Sequence, residues 1–203
     1  MPRNVVQIRN WHGFESLINE LRNLGYNIRP EVLDAVEFGV PQTRRRLFVL
    51  CDRDREPSRV LSRTKRRRTA ADAIQLDSDW LSKPLRLPGR ARPTIERAER
   101  AIAALGKGQP FLIVYYGSDG AGGWQPLHRP LRTLTTLDRF GLVTWAGKEP
   151  MLRMLQVDEL RRAMGFPDVY RFEHGNRRDR IKMIGNGVCP PVMSTMIQSM
   201  TRL

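Results

Sequence analysis

Apolar residues near the start of the chain fall at helical spacing. Phe14, Leu17, Ile18, Leu21 and Leu24 stand at i, i+3, i+4, i+7 and i+10, which is the stripe of an amphipathic helix, and Gly25 follows as its stop. Before it, residues 5–8 (Val-Val-Gln-Ile) read as a short strand. After it the period changes. Residues 28–36 read as a strand, with Pro30 placing it at a sheet edge or the proline at its start. A turn through Gly39 and Pro41 then leads to residues 47–51, a continuous apolar run of the kind a strand buried on both faces shows. One helix and two strands cannot cover both faces of a sheet, so this opening segment leaves apolar surface uncovered.

The pattern continues with more punctuation. Thr69 and Asp72 have capping-box spacing and open a short helix through Ile74. A helix over residues 95–105 is capped by Thr94 and stopped by Gly106. Residues 111–116 form a strand that runs into a glycine-rich loop ending at Trp124. Threonine and leucine nearly alternate over residues 130–143, which predicts a half-buried strand. Residues 153–167 hold a helix closed by Gly165 and Pro167. Gly185-Asn186-Gly187 is, read bare, a tight turn tolerating positive φ. Pro190 and Pro191 then open an apolar helix carrying Val192, Met196, Ile197 and Met200. These shifts divide the chain at about residues 1–60, 61–145 and 146–203, with no internal repeat.

Charge narrows the class of partner. The 203 residues carry a net charge of +14 and a pI near 11.0, an excess that favours a polyanion, nucleic acid first. An anionic membrane is the rival, but neither a long apolar run nor a basic amphipathic helix supports it. Much of the excess lies in residues 53–68, which read either as a solvated linker or as a strip tracking phosphates. Cys51 and Cys189 are the only cysteines, with no CxxC pair and no signal peptide, so the expected setting is cytoplasmic and nucleoid-associated, without disulfide or metal site.

Candidate chemistry gathers in Phe38-Gly39-Val40-Pro41-Gln42-Thr43-Arg44-Arg45-Arg46 and the strand after it. Alternation puts Gln42, Arg44 and Arg46 on one side. Three fixed polar groups at the lip of a sheet suit a phosphate or a base edge, and they equally suit a solvated turn.

The stretch from Gly39 to Arg46, followed by a strand, resembles motif VIII, Gln-x-Arg-x-Arg, of the DNA cytosine-5 methyltransferases. Residues 130–143 resemble motif IX of the same family. Met164-Gly165-Phe166-Pro167-Asp168-Val169-Tyr170 and Ile184-Gly185-Asn186-Gly187-Val188-Cys189-Pro190-Pro191 resemble motif X. The order is the family's, and the resemblance covers nearly the whole chain. It implies an α/β fold: the C-terminal part of a doubly wound Rossmann-like methyltransferase sheet with a small α+β target-recognition domain.

Several roles follow from that resemblance. Arg44 and Arg46 would hold the flipped cytosine or its flanking phosphates, oriented by Gln42. Asn186, Gly187 and Val188 would close an S-adenosyl-L-methionine site, with Gly187 departing from the family's usual Ala or Ser. Double-stranded DNA would meet Arg45, Arg63, Lys65, Arg66, Arg67, Arg68, Tyr116, Ser118, Asp119, Trp124 and Arg132. Two of these have a second reading: tyrosines on a strand are commonly core, and Arg132 reads first as structural, holding a carboxylate.

The family's chemistry adds a cysteine thiolate to C6 of a flipped cytosine, assisted by a glutamate, before C5 takes the methyl group. The Pro-Cys, Glu-Asn-Val and glycine-loop motifs that supply these steps do not occur in the sequence. Cys51 and Cys189 sit in apolar or turn settings that make a thiol inert. The expectation is a portion or subunit of the enzyme that is inactive alone and shares its cofactor with an N-terminal half carrying the nucleophilic cysteine, whether a split-gene partner or a lost segment. A non-catalytic sequence-specific DNA-binding protein is the alternative. An RNA-binding basic domain is weaker, because no aromatic stacking platform stands out.

Overall fold

The computed structural model describes residues 11–201 apart from residues 63, 65 and 117–121. The apolar stripe near the start forms helix α1 (His12–Asn23). Of that stripe only Ile18 is buried, while Leu17 and Leu24 are exposed. Strands β1 (Asn27–Asp34) and β2 (Arg45–Asp52) form an antiparallel pair with register from Asn27 opposite Asp52 to Asp34 opposite Arg45. Pro30 lies mid-strand opposite Val49. It is tolerated because β1 has a single neighbour and its other edge needs no ladder donor. A short helical turn, Ala35–Phe38, joins the two strands, with Asp34 accepting from the Val36 N–H at its start and Gly39 at φ 77° closing it.

A second, five-stranded antiparallel sheet has the order β3 (Lys83–Pro84), β7 (Glu149–Met154), β6 (Phe140–Ala146), β4 (Phe111–Val114), β5 (Trp124–Pro126). Its centre is covered on both faces. Along β4 the alternation sends Phe111 and Ile113 into a core with Leu85, Ala98, Ala101, Val143 and Leu152, beneath α2 (Arg92–Leu105). Leu112 and Val114 point the other way, into a larger core with Leu33, Phe38, Val40, Leu134, Leu155 and Met164. That core joins the sheet to the β1–β2 pair, to α3 (Val157–Ala163), to α4 (Arg177–Asn186) and to α5 (Pro190–Thr201).

The structure corrects four local expectations. The half-buried strand over residues 130–143 is a strand only from Phe140; before it the chain is a loop fastened by Leu131 N–H to the Pro41 carbonyl and Thr43 N–H to the Leu131 carbonyl. Arg153 and Met154, which open the stretch read as holding a helix, instead end β7, turned back on β6 through Gly147 at φ 60°. The sheet thus runs beyond the expected boundary at residue 145. The helix over residues 95–105 begins earlier, at Arg92, and Thr94 lies inside it instead of capping it. Gly185 and Asn186 are not a turn but the last residues of α4, and Gly187 caps that helix at φ −63°. Thr69 and Asp72 do form the capping box, on a helical turn of only three residues, Ala70–Asp72. Among the described residues no helix is long and apolar enough to cross a membrane, and no group of three or more acidic, His or Cys side chains is placed to hold a metal.

Candidate functional site

Residues from two distant segments meet at one cavity of about 220 Å³. One wall is β1–β2 (Leu33, Ala35, Arg44, Arg46, Leu47, Phe48) and the other is the end of α4 and the start of α5 (Asn186, Gly187, Val188, Cys189, Val192). The arginines and the Asn186 segment that the sequence singled out are therefore neighbours.

Arg44 makes the join. It is buried, its backbone N–H donates to Asp34 Oδ1 (2.9 Å), and its guanidinium donates to the carbonyl oxygens of Leu134 (2.9 Å), Gly185 (2.7 Å) and Gly187 (3.3 Å). A buried cation needs such acceptors. Burial lowers its pKa to about 10, with the neighbouring Arg46 adding to the effect. It stays charged at neutral pH, and its bonds are charge-assisted. Arg46 is half-buried at the cavity, donates to the Arg45 carbonyl (2.8 Å), and is also lowered by burial.

Gln42 lies inside, fully buried. Its Nε2 donates to the Ala163 carbonyl (3.2 Å) and to Met164 Sδ (3.2 Å), and its Oε1 accepts from the Leu134 N–H (2.9 Å). Expected to orient the arginines, the amide ties to α3 the 130s loop whose Leu134 carbonyl also accepts from Arg44. Gly185 makes room for the same junction, since a Cβ there would lie 2.2 Å from the Thr135 carbonyl oxygen. Asn186 and Val188 stand exposed at the cavity rim, and the Asn186 amide has no partner among the described residues.

Neither thiol is activated. Cys189 lies at the cavity floor with its Sγ 3.9 Å from Met164 Sδ, and burial pushes it up to about 11 despite Arg44 and Arg46 nearby. Burial also raises Cys51.

The candidate DNA contacts divide. Arg45 and Arg67 are exposed, while Arg66 and Arg68 reach Asp72 at 3.2 and 3.8 Å. Arg63, Lys65, Ser118 and Asp119 lie outside the described residues. Tyr116 is turned inward: its hydroxyl donates to the Thr133 carbonyl (2.6 Å), its ring packs edge-on against Phe140, and burial pushes its pKa up to about 12. That placement is the one a core tyrosine on a strand would take. Arg132 donates to the Trp124 carbonyl (3.2 Å), and Trp124 is half-buried on β5.

Sequence reading missed a buried ion pair. Arg153 on β7 and Glu159 on α3 meet through two contacts of 2.7 and 2.8 Å, with Glu159 fully buried. Glu159 also accepts the N–H groups of Gln75 (2.9 Å) and Gln156 (2.7 Å), and Arg153 stacks over Trp80. The pair fastens the linker, the sheet and α3 together. Nothing in the spacing of these residues marks it.

The C-5 cytosine-specific DNA methylase family model matches residues 3–202. Among curated relatives, the chain is 24% identical over 213 residues to Type II methyltransferase M.FnuDI of Fusobacterium nucleatum, covering 92% of this chain and 58% of that protein. It is 32% identical over 202 residues to Type II methyltransferase M.SacI of Streptomyces achromogenes, covering 86% and 52%. The chain thus spans about half the length of the curated relatives it matches. Among solved structures it resembles the Entamoeba histolytica methyltransferase EhMeth, with TM-score 0.62 and 12% identity over 97% of this chain and 60% of that one. It also resembles the S. pombe Dnmt2 methyltransferase, with TM-score 0.59 and 16% identity over 97% and 63%. At such identities the likeness to these structures is one of fold, an α/β methyltransferase fold.

Proposed function

The chain belongs to the C-5 cytosine-specific DNA methylase family, and from that membership we propose that it supplies the DNA-recognition and cofactor-completing part of a cytosine-5 methyltransferase. The observation that carries the proposal is the meeting of Arg44 and Arg46 with residues 185–189 at one cavity, held by Arg44 across 141 and 143 residues of sequence.

The lining fits one end of S-adenosylmethionine, the group that, when bound, supplies the methyl. Leu47, Phe48 and Val192 give an apolar wall that excludes water, and the unpartnered Asn186 amide gives a hydrogen-bonding group at the rim. At about 220 Å³ the cavity is smaller than the roughly 300–1,000 Å³ of a site enclosing a whole drug-sized ligand. It holds part of such a molecule, and the rest is held by polypeptide outside these 203 residues. Arg44 acts through its frame, keeping the β2 lip, the 130s loop and the α4 terminus in one geometry. Arg46, the more exposed of the two arginines that line the cavity, is placed to meet the flipped nucleotide or a flanking phosphate. Residues 77–128 choose the target sequence.

Addition to C6 of cytosine needs a thiolate. With Cys189 at about 11 and Cys51 also raised, neither is one near neutral pH. The nucleophile is therefore assigned to an N-terminal half carrying a Pro-Cys motif, joined covalently or as a separate subunit. The same two thiols, with the net charge of +14, favour a second reading, a non-catalytic DNA-binding protein.

Complementation separates the two. The chain alone should transfer no tritiated methyl from S-adenosylmethionine to DNA. Adding a cognate N-terminal half should give label at C5 of cytosine, and replacing that half's Pro-Cys cysteine by Ala should abolish labelling while the complex still forms. A cognate half that neither binds the chain nor yields methylated DNA would overturn the proposal. A soluble, sequence-specific binder that needs no second half would establish the non-catalytic reading.

A further inference from the structure

A second cleft lies between β5 and the loop that follows it, apart from the cavity above. It measures about 340 Å³ and is lined by Leu105, Trp124, Pro126, His128, Arg129 and Arg132 together with Gln125 and Pro130. Among the described residues that line it none is acidic. The loop is built to hold its shape. Gln125, almost fully buried, donates from Nε2 to the Pro130 carbonyl (3.2 Å) and accepts at Oε1 from the Arg132 N–H (3.0 Å), tying the two ends of the loop together. His128 and Arg129 project from it, exposed, and neither side chain has a hydrogen-bond or ion-pair partner among the described residues.

Backbone bonds fix where the cleft sits. The Ala70 N–H donates to the Arg129 carbonyl (2.8 Å) and the Ala71 N–H to the Leu127 carbonyl (3.1 Å), so the loop runs beside the segment that follows Arg66–Arg68. At its other end, Leu131 is bonded to Pro41 and Thr43, next to the exposed Arg45. Segments separated in sequence, the one that follows residues 66–68 and the one that leads into Arg45, are thereby brought beside the loop that borders the cleft. Exposed arginines on neighbouring segments, here Arg45, Arg67 and Arg129, are the kind of arrangement that tracks a phosphate backbone. An aromatic wall, Trp124, in the same cleft as Arg129 adds an apolar surface suited to a deoxyribose.

We propose that this cleft holds one phosphodiester unit of duplex DNA, its phosphate on Arg129 and His128 and its deoxyribose against the Trp124 indole. The inference rests on the DNA-recognition reading above and assigns it a subsite.

The test titrates a labelled duplex with the full chain by fluorescence anisotropy between 50 and 200 mM salt, conditions under which phosphate contacts dominate the salt response. Replacing His128→Gln and Arg129→Ala together should weaken binding severalfold and make the slope of log K against log salt shallower by roughly 1. Arg22→Ala on α1, which does not line the cleft, should leave the slope unchanged. Duplex should also quench the fluorescence of the wild-type chain, and Trp124→Phe should remove most of that quench. If the double variant keeps both affinity and slope while Arg66→Ala with Arg67→Ala lowers them, the cleft is not the subsite, although DNA recognition stands. If Arg22→Ala lowers the slope as much as the double variant, the effect is one of net charge and the subsite is refuted. A wild-type chain with no salt-dependent duplex binding would instead overturn the DNA-recognition reading itself.

Discussion

Replacing Gly185 by Ala sets two opposed effects against each other. Gly185 lies in α4 with an ordinary helical backbone, so local propensity favours Ala by about 1 kcal/mol. Tertiary packing opposes it. The added Cβ would lie 2.2 Å from the Thr135 carbonyl oxygen, 2.6 Å from its carbon and 2.9 Å from the Thr136 nitrogen, about 1 Å short of the 3.4 Å at which ordinary contact begins. All three are backbone atoms, so no rotamer change relieves the contact, and α4 must move away from the 130s loop. The same movement stretches Arg44, whose guanidinium binds Leu134 on one side and Gly185 on the other. Overpacking alone costs roughly 1–3 kcal/mol, and a weakened hydrogen bond to a charged group about 1.5–3 kcal/mol. After the propensity gain the net loss is roughly 1.5–5 kcal/mol. With a urea m-value of about 1–3 kcal/mol/M, the unfolding midpoint should fall by on the order of 1–2 M, read by circular dichroism. Gly187→Ala is the control. Its φ is −63°, and its nearest contacts, the Ile184 carbonyl oxygen and Phe166 Cζ, lie at 3.2 Å, so the change should stay within about 1 kcal/mol of wild type. A Gly185→Ala variant as stable as wild type, or a Gly187→Ala variant that loses as much, would refute the packing argument.

Two further outcomes follow from the same geometry. Glu159→Gln should destabilise the chain by roughly 3–5 kcal/mol, because Arg153 is left as a buried, uncompensated cation; Glu159→Leu with Arg153→Met should recover most of the loss in urea titrations, and a double variant as unstable as the single one would contradict this account. Cys189 titrates at about 11 in the folded chain against 9.0 for a free thiol. The unfolded chain therefore loses that proton first, and the stability it contributes is complete below pH 9 and lost between pH 9 and 11. The loss amounts to as much as about 2–3 kcal/mol, and Cys189→Ala should flatten it; an unchanged alkaline profile would show that the thiol does not carry it.

Much of the chain's local structure is legible without coordinates. The period of Phe14 to Leu24 set α1, the apolar run after Arg46 set β2, and Thr69 with Asp72 set the capped turn, because each depends on neighbours within a few residues. The candidate residues of motifs VIII and X were also visible as types in an order. Their geometry was not. Alternation put Gln42, Arg44 and Arg46 on one side but could not say that Gln42 and Arg44 are buried and spent on carbonyls 90 to 141 residues away. The leucine and threonine alternation before Phe140 suited a strand, yet its backbone groups found partners at Pro41 and Thr43 instead of a ladder. Strand propensity yields to whichever partner the fold supplies. Gly185 could be read only as a turn residue, because local sequence reports the conformations a glycine permits and not the chain that packs against it. Arg153 and Glu159 read as two surface charges six residues apart until folding buried them together. Short-range periodicity is written in the order of residues, whereas burial, ion pairing and close approach depend on which distant segment arrives, and only the folded chain decides that.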